Sequence, residues 1–195
     1  ALHGRESPEQ ANLLYLLGVG QSRVGRLADA EATLGEARQL VDRLYRPEQF
    51  EHLFFVNYVQ GLRVAQNRLG EAEALLRATA PRWADADPAY ARFVLVLRRN
   101  LLAVRILRAD HAGVEAEARA LMQEMDALLG RGNDMTTSLR LQLAALLSDQ
   151  GRHADAAEAL RRNEAELQAD GVVHAAQRVP VAARRLAAEV AAGSA

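Results

Sequence analysis

The run Gly18-Val19-Gly20-Gln21-Ser22-Arg23 is the nearest approach in this chain to a phosphate-binding loop, in which closely spaced glycines let backbone N–H groups close on a pyrophosphate. It lacks the third glycine, follows no strand pattern and lies inside a helical periodicity, where the N–H groups are already committed. Gly18 therefore reads as a helix-packing position, and no cofactor is expected. The histidines His3, His52, His111, His153 and His174 show no HExxH spacing, and cysteine is absent, so neither a zinc-type ligand set nor a thiolate nucleophile is available. His111 and His153 share a column of the repeat described below and read as packed turn residues. Carboxylate pairs such as Glu71 with Glu73 and Glu115 with Glu117 alternate with arginine, the pattern of solvated helix surface rather than of an acid/base dyad. Ser7, Ser22, Ser138 and Ser148 have no elbow motif and no histidine beside them. Arg98-Arg99, Arg161-Arg162 and Arg184-Arg185 are short pairs, each consistent with an ordinary charged helix face. No catalytic set emerges, and the chain is expected not to be an enzyme.

Composition narrows the partners. All 24 cationic side chains are arginine, which with the alanine richness points to a GC-rich bacterial source. They are interspersed with 25 carboxylates to give a net charge of -1, so no basic stripe exists to hold nucleic acid. No apolar run reaches the roughly 18 residues that would read as membrane-spanning. The expected location is cytoplasmic, or periplasmic on a membrane-anchored parent. A chain opening on Ala1 is expected to be part of a longer protein.

The elements that position these residues form a repeat. Gly25-Arg26-Leu27-Ala28-Asp29-Ala30 recurs, at a 42-residue period, as Asn67-Arg68-Leu69-Gly70-Glu71-Ala72, then as Ala109 to Val114 and as Gly151 to Ala156. Ala30, Ala72, Val114 and Ala156 make a small-residue column, and Leu34, Leu76, Ala118 and Leu160 lie one turn further along the same face. Leu17, Val59, Leu101 and Leu143 form another apolar column. Beside it Leu14 and Val56 give way to Arg98 and Arg140, as though the pattern weakens toward the end.

Ser7-Pro8-Glu9-Gln10 is a helix-capping sequence, and Asp87-Pro88 is a second start. First helices are expected near 8–23, 47–66, 88–108 and 135–149, second helices near 27–45, 69–80, 111–130 and 153–168, and a terminal helix near 173–191, started late or kinked by Pro180. The breaks at Ala80–Pro88 and Gly130–Asp134 fall between repeats. The expected architecture is all-α, a right-handed α-solenoid of about four antiparallel helix pairs with a C-terminal capping helix, in one domain over 1–195 with units near 8–45, 47–86, 88–130 and 134–170.

Leu14, Leu17-Gly18, Gly25, Ala30, Leu34 and Ala37 resemble the large, Leu-Gly, turn, small, large and small positions of the tetratricopeptide repeat. Later units replace the Leu-Gly glycine by Gln60, Leu102 and Ala144. The 42-residue unit is longer than the usual tetratricopeptide unit and is similar to the longer repeats of kinesin light chains and MalT-like regulators. The resemblance covers about residues 8–168. It implies a scaffold, sensor or regulatory module, with the first helix of each pair lining a concave groove.

On those helices, Tyr15, Asn57, Arg99 and Leu141 share one column and Leu16, Tyr58, Asn100 and Gln142 the next, with Asn12 and Phe54 one turn earlier and Gly61 one turn later than Asn57. Tyr, Asn, Gln and Arg occupy helix-interior positions where propensity alone prefers Ala or Glu. Amide side chains can hold an extended partner's backbone, Tyr offers apolar area with a polar tip, and Arg99 can fork onto a carboxylate. The expected protein- or peptide-binding set is Asn12, Tyr15, Phe54, Asn57, Tyr58, Arg99, Asn100 and Gln142, in a bacterial signalling or regulatory protein. Self-association through apolar surface of the terminal helix is the alternative.

Overall fold

The computed structural model of the chain describes residues 6–46, 49–84, 87–169 and 175–193, of which 84, 169 and 175–180 as backbone only. His3, His174 and the expected helix starts at 47 and 173 lie outside those residues. Among the described residues every regular element is a helix: α1 (Pro8–Arg23), α2 (Leu27–Leu44), α3 (Phe50–Ala65), α4 (Leu69–Thr79), the short α5 (Pro81–Ala84), a 3-10 turn at Pro88–Tyr90, α6 (Ala91–Leu107), α7 (Val114–Leu129), α8 (Asp134–Asp149), α9 (His153–Ala169) and α10 (Ala175–Gly193). α5 falls where a break was expected: Pro81 is compatible with a first helical turn, and Trp83 of that turn is buried. α10 begins before Pro180 rather than at it. The helices gather into two compact units, Ala1–Pro88 and Ala89–Ala195, which part at the end of the Pro-rich stretch.

Local chemistry sets the helix ends. The Ser7 hydroxyl accepts from the Gln10 N–H at 3.3 Å, with Pro8 at the first helical position. The Asn133 side chain accepts from the N–H groups of Met135 and Thr136, both at 3.0 Å, to start α8.

Between first and second helices the same turn occurs four times at the 42-residue spacing. Gly25, Asn67, Ala109 and Gly151 all take left-handed backbone, with φ of 80°, 57°, 57° and 75°. In each, the next N–H reaches back five residues: Arg26 to Gln21 O, Arg68 to Arg63 O, Asp110 to Arg105 O and Arg152 to Leu147 O, at 2.7–3.0 Å. This is a Schellman closure, which satisfies the last helical carbonyls and turns the chain directly into the following helix.

The apolar columns form the cores. Ala30, Ala72, Val114 and Ala156 are wholly buried, and Leu34, Leu76, Ala118 and Leu160 nearly so. In the first unit the α2 stripe Ala30, Leu34, Ala37 and Val41 packs with Ala11 and Tyr15 of α1 and Phe55 and Leu62 of α3. In the second unit the α7 stripe Val114, Ala118, Leu121 and Met125 packs with Leu139, Leu143 and Leu146 of α8, Leu160 and Leu167 of α9, and Val181 of α10. Small residues at the seam let the backbones approach, and each fully buried Leu contributes about 1.5–3 kcal/mol of transfer free energy.

The Leu17 column does not behave as one seam. Leu143 is buried, Val59 and Leu101 are half-buried, and Leu17 is 53% exposed. Leu143 lies on α8, which packs against both α7 and α9, whereas Leu17 of α1 stays outside the core cluster of its unit.

Candidate functional site

Five of the eight expected binding residues lie on α1 and α3 of the first unit. Tyr15 stacks on Tyr58 with ring centroids 4.9 Å apart and planes 12° from parallel. Phe54 meets Tyr58 edge-on at 5.3 Å and Tyr15 at 6.4 Å, and Phe55 closes the group from the core side, 5.6 Å from Tyr15. The spacing explains the meeting: Phe54 and Tyr58 are one helical turn apart on α3, and Tyr15 faces them from α1. Such ring pairs add about 0.5–1.5 kcal/mol each beyond burial, so the group is stiff.

The members differ in access. Tyr15 is buried in the core, and its hydroxyl has no hydrogen-bond partner among the described residues. Burial, reinforced by the neighbouring Tyr45 and Tyr58 and by Glu51 and Asp42, pushes its phenol well above the ordinary tyrosine range. Phe54 and Tyr58 are half-buried and present ring area to solvent, and burial raises the Tyr58 phenol too. Asn12 is exposed one turn before Tyr15 and Leu16. Asn57 is half-buried, and its backbone carbonyl accepts from Gln60 Nε2 at 3.1 Å. That bond accounts for the buried polar Gln60 at a position where the first repeat has Gly18.

The other three lie in the second unit. Arg99 of α6 is half-buried, and its Nη2 donates to Asn100 Oδ1 at 3.0 Å. No carboxylate pairs with it among the described residues, and desolvation lowers its pKa. Gln142 of α8 is half-buried, with Oε1 lacking a donor among the described residues.

A further concavity of the second unit was not expected from sequence. α7, α8 and α9 enclose a cleft of about 450 Å3. Inside it Arg140 Nη2 lies 2.6 Å from both Asp126 Oδ2 and Glu166 Oε2, and Nη1 donates to Asn163 Oδ1 at 3.1 Å. The signal lay in the repeat itself. Arg98 and Arg140 stand one repeat apart, as do Glu124 and Glu166, and Arg98 forks onto Glu124, with Nη2 to Oε1 at 2.8 Å. Arginines that looked like decay of the apolar pattern are matched by carboxylates one column away.

The fold is shared with solved repeat proteins. Over 97% of this chain and 90% of the other, it superposes with a TM-score of 0.80 on a crystal structure of Podosopora anserina TPR-like repeats, described as nearly identical repeats of a kinesin light chain, at 16% sequence identity. A single-substitution form of that protein matches over 96% of this chain, also with a TM-score of 0.80 and 16% identity. This chain has a TPR-like repeat fold. No family model matches it, and no curated protein matches its sequence. At such low identity the likeness carries architecture, and function has to be argued from this chain's own TPR-like surfaces. Among the described residues no helix is long and apolar enough to cross a membrane.

Proposed function

We propose that this TPR-like domain is a non-catalytic binding module that takes an extended protein segment on its first helices, as part of a bacterial signalling or regulatory protein. TPR-like repeats generally serve as protein-interaction scaffolds. The observation that carries the reading is Arg99, a half-buried guanidinium on a first helix with no carboxylate partner among the described residues. Keeping a cation partly desolvated without a counter-charge is costly, and a partner's carboxylate would offset that cost with a forked pair. The adjacent Asn100 supplies an amide contact of the kind that holds peptide backbone, and the first unit by itself offers half-buried Phe54 and Tyr58 as aromatic contacts for apolar side chains.

The test is capture of proteins from a GC-rich bacterium's lysate by the immobilised chain, with identification by mass spectrometry. A folded Arg99→Ala, Asn100→Ala form is expected to lose the captured set, whereas Arg38→Ala, which removes an exposed second-helix cation paired with Asp42, is expected to keep it. Retention of the same proteins by both forms would move the binding surface elsewhere.

A second reading, self-association, is favoured by exposed apolar side chains on terminal helices. Leu186 and Val190 of α10 are exposed, and so are Leu13, Leu16 and Leu17 of α1 and Val24, which caps that helix. Leu13 is 67% exposed, although Phe55 and Leu139, at the same repeat position on α3 and α8, are buried. A helix packed on α1 as α2 packs on α3 would cover it. Sedimentation equilibrium across concentration tests this: the reading requires association that Leu13→Glu abolishes, and a monomer throughout removes it.

A further inference from the structure

The deepest groups of the second-unit cleft are polar and almost fully used. The Arg140 side chain is 11% exposed and its two terminal nitrogens reach four groups: Asp126, Glu166, Asn163 Oδ1 and, at 3.2 Å, the carbonyl of Arg131. One cation thus stands between two carboxylates, and the cleft floor carries a net negative charge. Asn163 is wholly buried, and Arg140 fixes its orientation, because turning the amide would set its N–H groups against the guanidinium N–H groups.

Apart from Glu166 Oε2, which meets Arg140 Nη2 as an ion pair without a hydrogen bond, two buried atoms remain without partners among the described residues. Asn163 Nδ2 is a donor lacking an acceptor, and Asp126 Oδ1 is an acceptor lacking a donor. Both residues are anchored on the same guanidinium, so both unmatched atoms belong to one small neighbourhood. Each buried polar atom left unmet keeps its full desolvation cost, which a ligand satisfying both would recover. Met122, Leu143 and Ala159 also line the cleft as apolar wall. At its exposed edge Arg162 has no carboxylate partner among the described residues.

We propose that this cleft binds a primary carboxamide on a short apolar stem, that is, a glutamine side chain. An ammonium or guanidinium would satisfy Asp126 but oppose Asn163 Nδ2 donor to donor. A carboxylate would satisfy Asn163 but meet the negative charge of Asp126 and Glu166. A carboxamide does both: its N–H donates to Asp126 Oδ1 and its C=O accepts from Asn163 Nδ2. The two methylenes of glutamine lie along Met122, Leu143 and Ala159. The α-carboxylate of free glutamine reaches toward Arg162, which a glutamine within a peptide has no charge to engage. This site lies on other helices than the Arg99 surface and does not depend on it.

Isothermal titration of the full chain with L-glutamine and with N-acetyl-glutamine-methylamide, each against its glutamate counterpart, tests the assignment. At least one amide is expected to bind about tenfold or more tightly than its carboxylate counterpart, the difference one well-placed hydrogen bond makes. Binding of the free amino acid, weakened by Arg162→Ala, identifies a metabolite-type ligand; binding of the blocked form, indifferent to Arg162→Ala, identifies a protein segment. Asp126→Asn, which keeps the side-chain shape and removes the charge, is expected to weaken either by about tenfold. The proposal fails if neither amide binds at millimolar concentration, if glutamate binds as well as glutamine, or if folded Asp126→Asn retains full affinity. Should Asp126→Asn not fold, the discrimination of amide from carboxylate by the parent chain decides alone.

Discussion

Arg152 Nη1 lies 2.7 Å from the Glu115 carboxylate and ties the start of one second helix to the start of the one before it. Arg68 does the same to Glu31 at 3.0 Å in the other unit. Each arginine also holds a carboxylate in the first turn of its own helix, Asp155 and Glu71. The tie between successive pairs is thus repeated in ionic form as well as in apolar form.

Acid should loosen the Arg68–Glu31 tie in a defined window. Hydrogen bonds from Arg63, then Gln66, lower the Glu31 carboxyl from 4.5 to about 2. Because the folded value lies below the ordinary one, the contribution is fully present above pH 4.5 and is lost as pH falls from there toward 2. Glu31 is 43% exposed, so the network contributes only about 0.5–1 kcal/mol after solvent screening. Urea unfolding at neutral pH and at pH about 3 should show Glu31→Gln less stable at neutral pH, with the gap to the parent narrowing in acid. A gap of equal size at both would separate Glu31 from acid sensitivity.

The turn column predicts a gain. Ala109 holds φ of 57°, a conformation its Cβ disfavours and the glycines at the equivalent positions adopt freely. Ala109→Gly should stabilise the chain by roughly 0.5–1 kcal/mol, and Gly151→Ala should cost a similar amount. Denaturant midpoints at constant slope would check both, and a loss for Ala109→Gly would mean that unfolded-chain entropy outweighs the strain.

Two helical glycines should respond in opposite directions. A Cβ on Gly18 would lie 2.8 Å from Leu34 Cγ and Cδ2, and Leu34 is core-buried and cannot swing away. A Cβ on Gly61 would meet nothing within 4 Å. Gly18→Ala should cost about 1 kcal/mol net, since overpacking outweighs the gain in helix propensity. Gly61→Ala should gain about 0.5–1 kcal/mol by propensity alone. If Gly61→Ala leaves the fold more stable but removes captured proteins, Gly61 admits close approach of a partner.

Much of this was legible in the residue types. The 42-residue period located the helix pairs, and the small-residue column Ala30, Ala72, Val114 and Ala156 is the buried seam in each of them. Gly18 is a packing residue against Leu34, as its place inside a helical pattern implied. Less legible was access. Tyr15 shares its column with Asn57 and Arg99, yet it is core because Phe54, Phe55 and Tyr58 gather around it, and a column gives spacing without giving neighbours. The cleft was missed for a related reason. Arg140 and Glu166 each look like isolated surface charges until α8 and α9 bring them together, and the pair becomes visible in sequence only when both columns are read at once.

That paired substitution leads to the sharpest stability test. In the first repeat the corresponding columns hold Leu14 and Leu40, both packed in the core cluster, whereas the second unit holds Arg98 with Glu124 and Arg140 with Glu166. An ion pair this sheltered repays its desolvation only while both partners are present. Arg140→Leu strands Asp126 and Glu166 as neighbouring carboxylates without their cation, and should cost about 3 kcal/mol. Adding Glu166→Leu rebuilds the apolar pair of the first repeat and leaves one stranded carboxylate, so the double form should recover roughly half of that loss. If the two substitutions are instead simply additive, in urea unfolding of the full chain, Arg140 and Glu166 act independently and the second unit is held by its apolar seam alone.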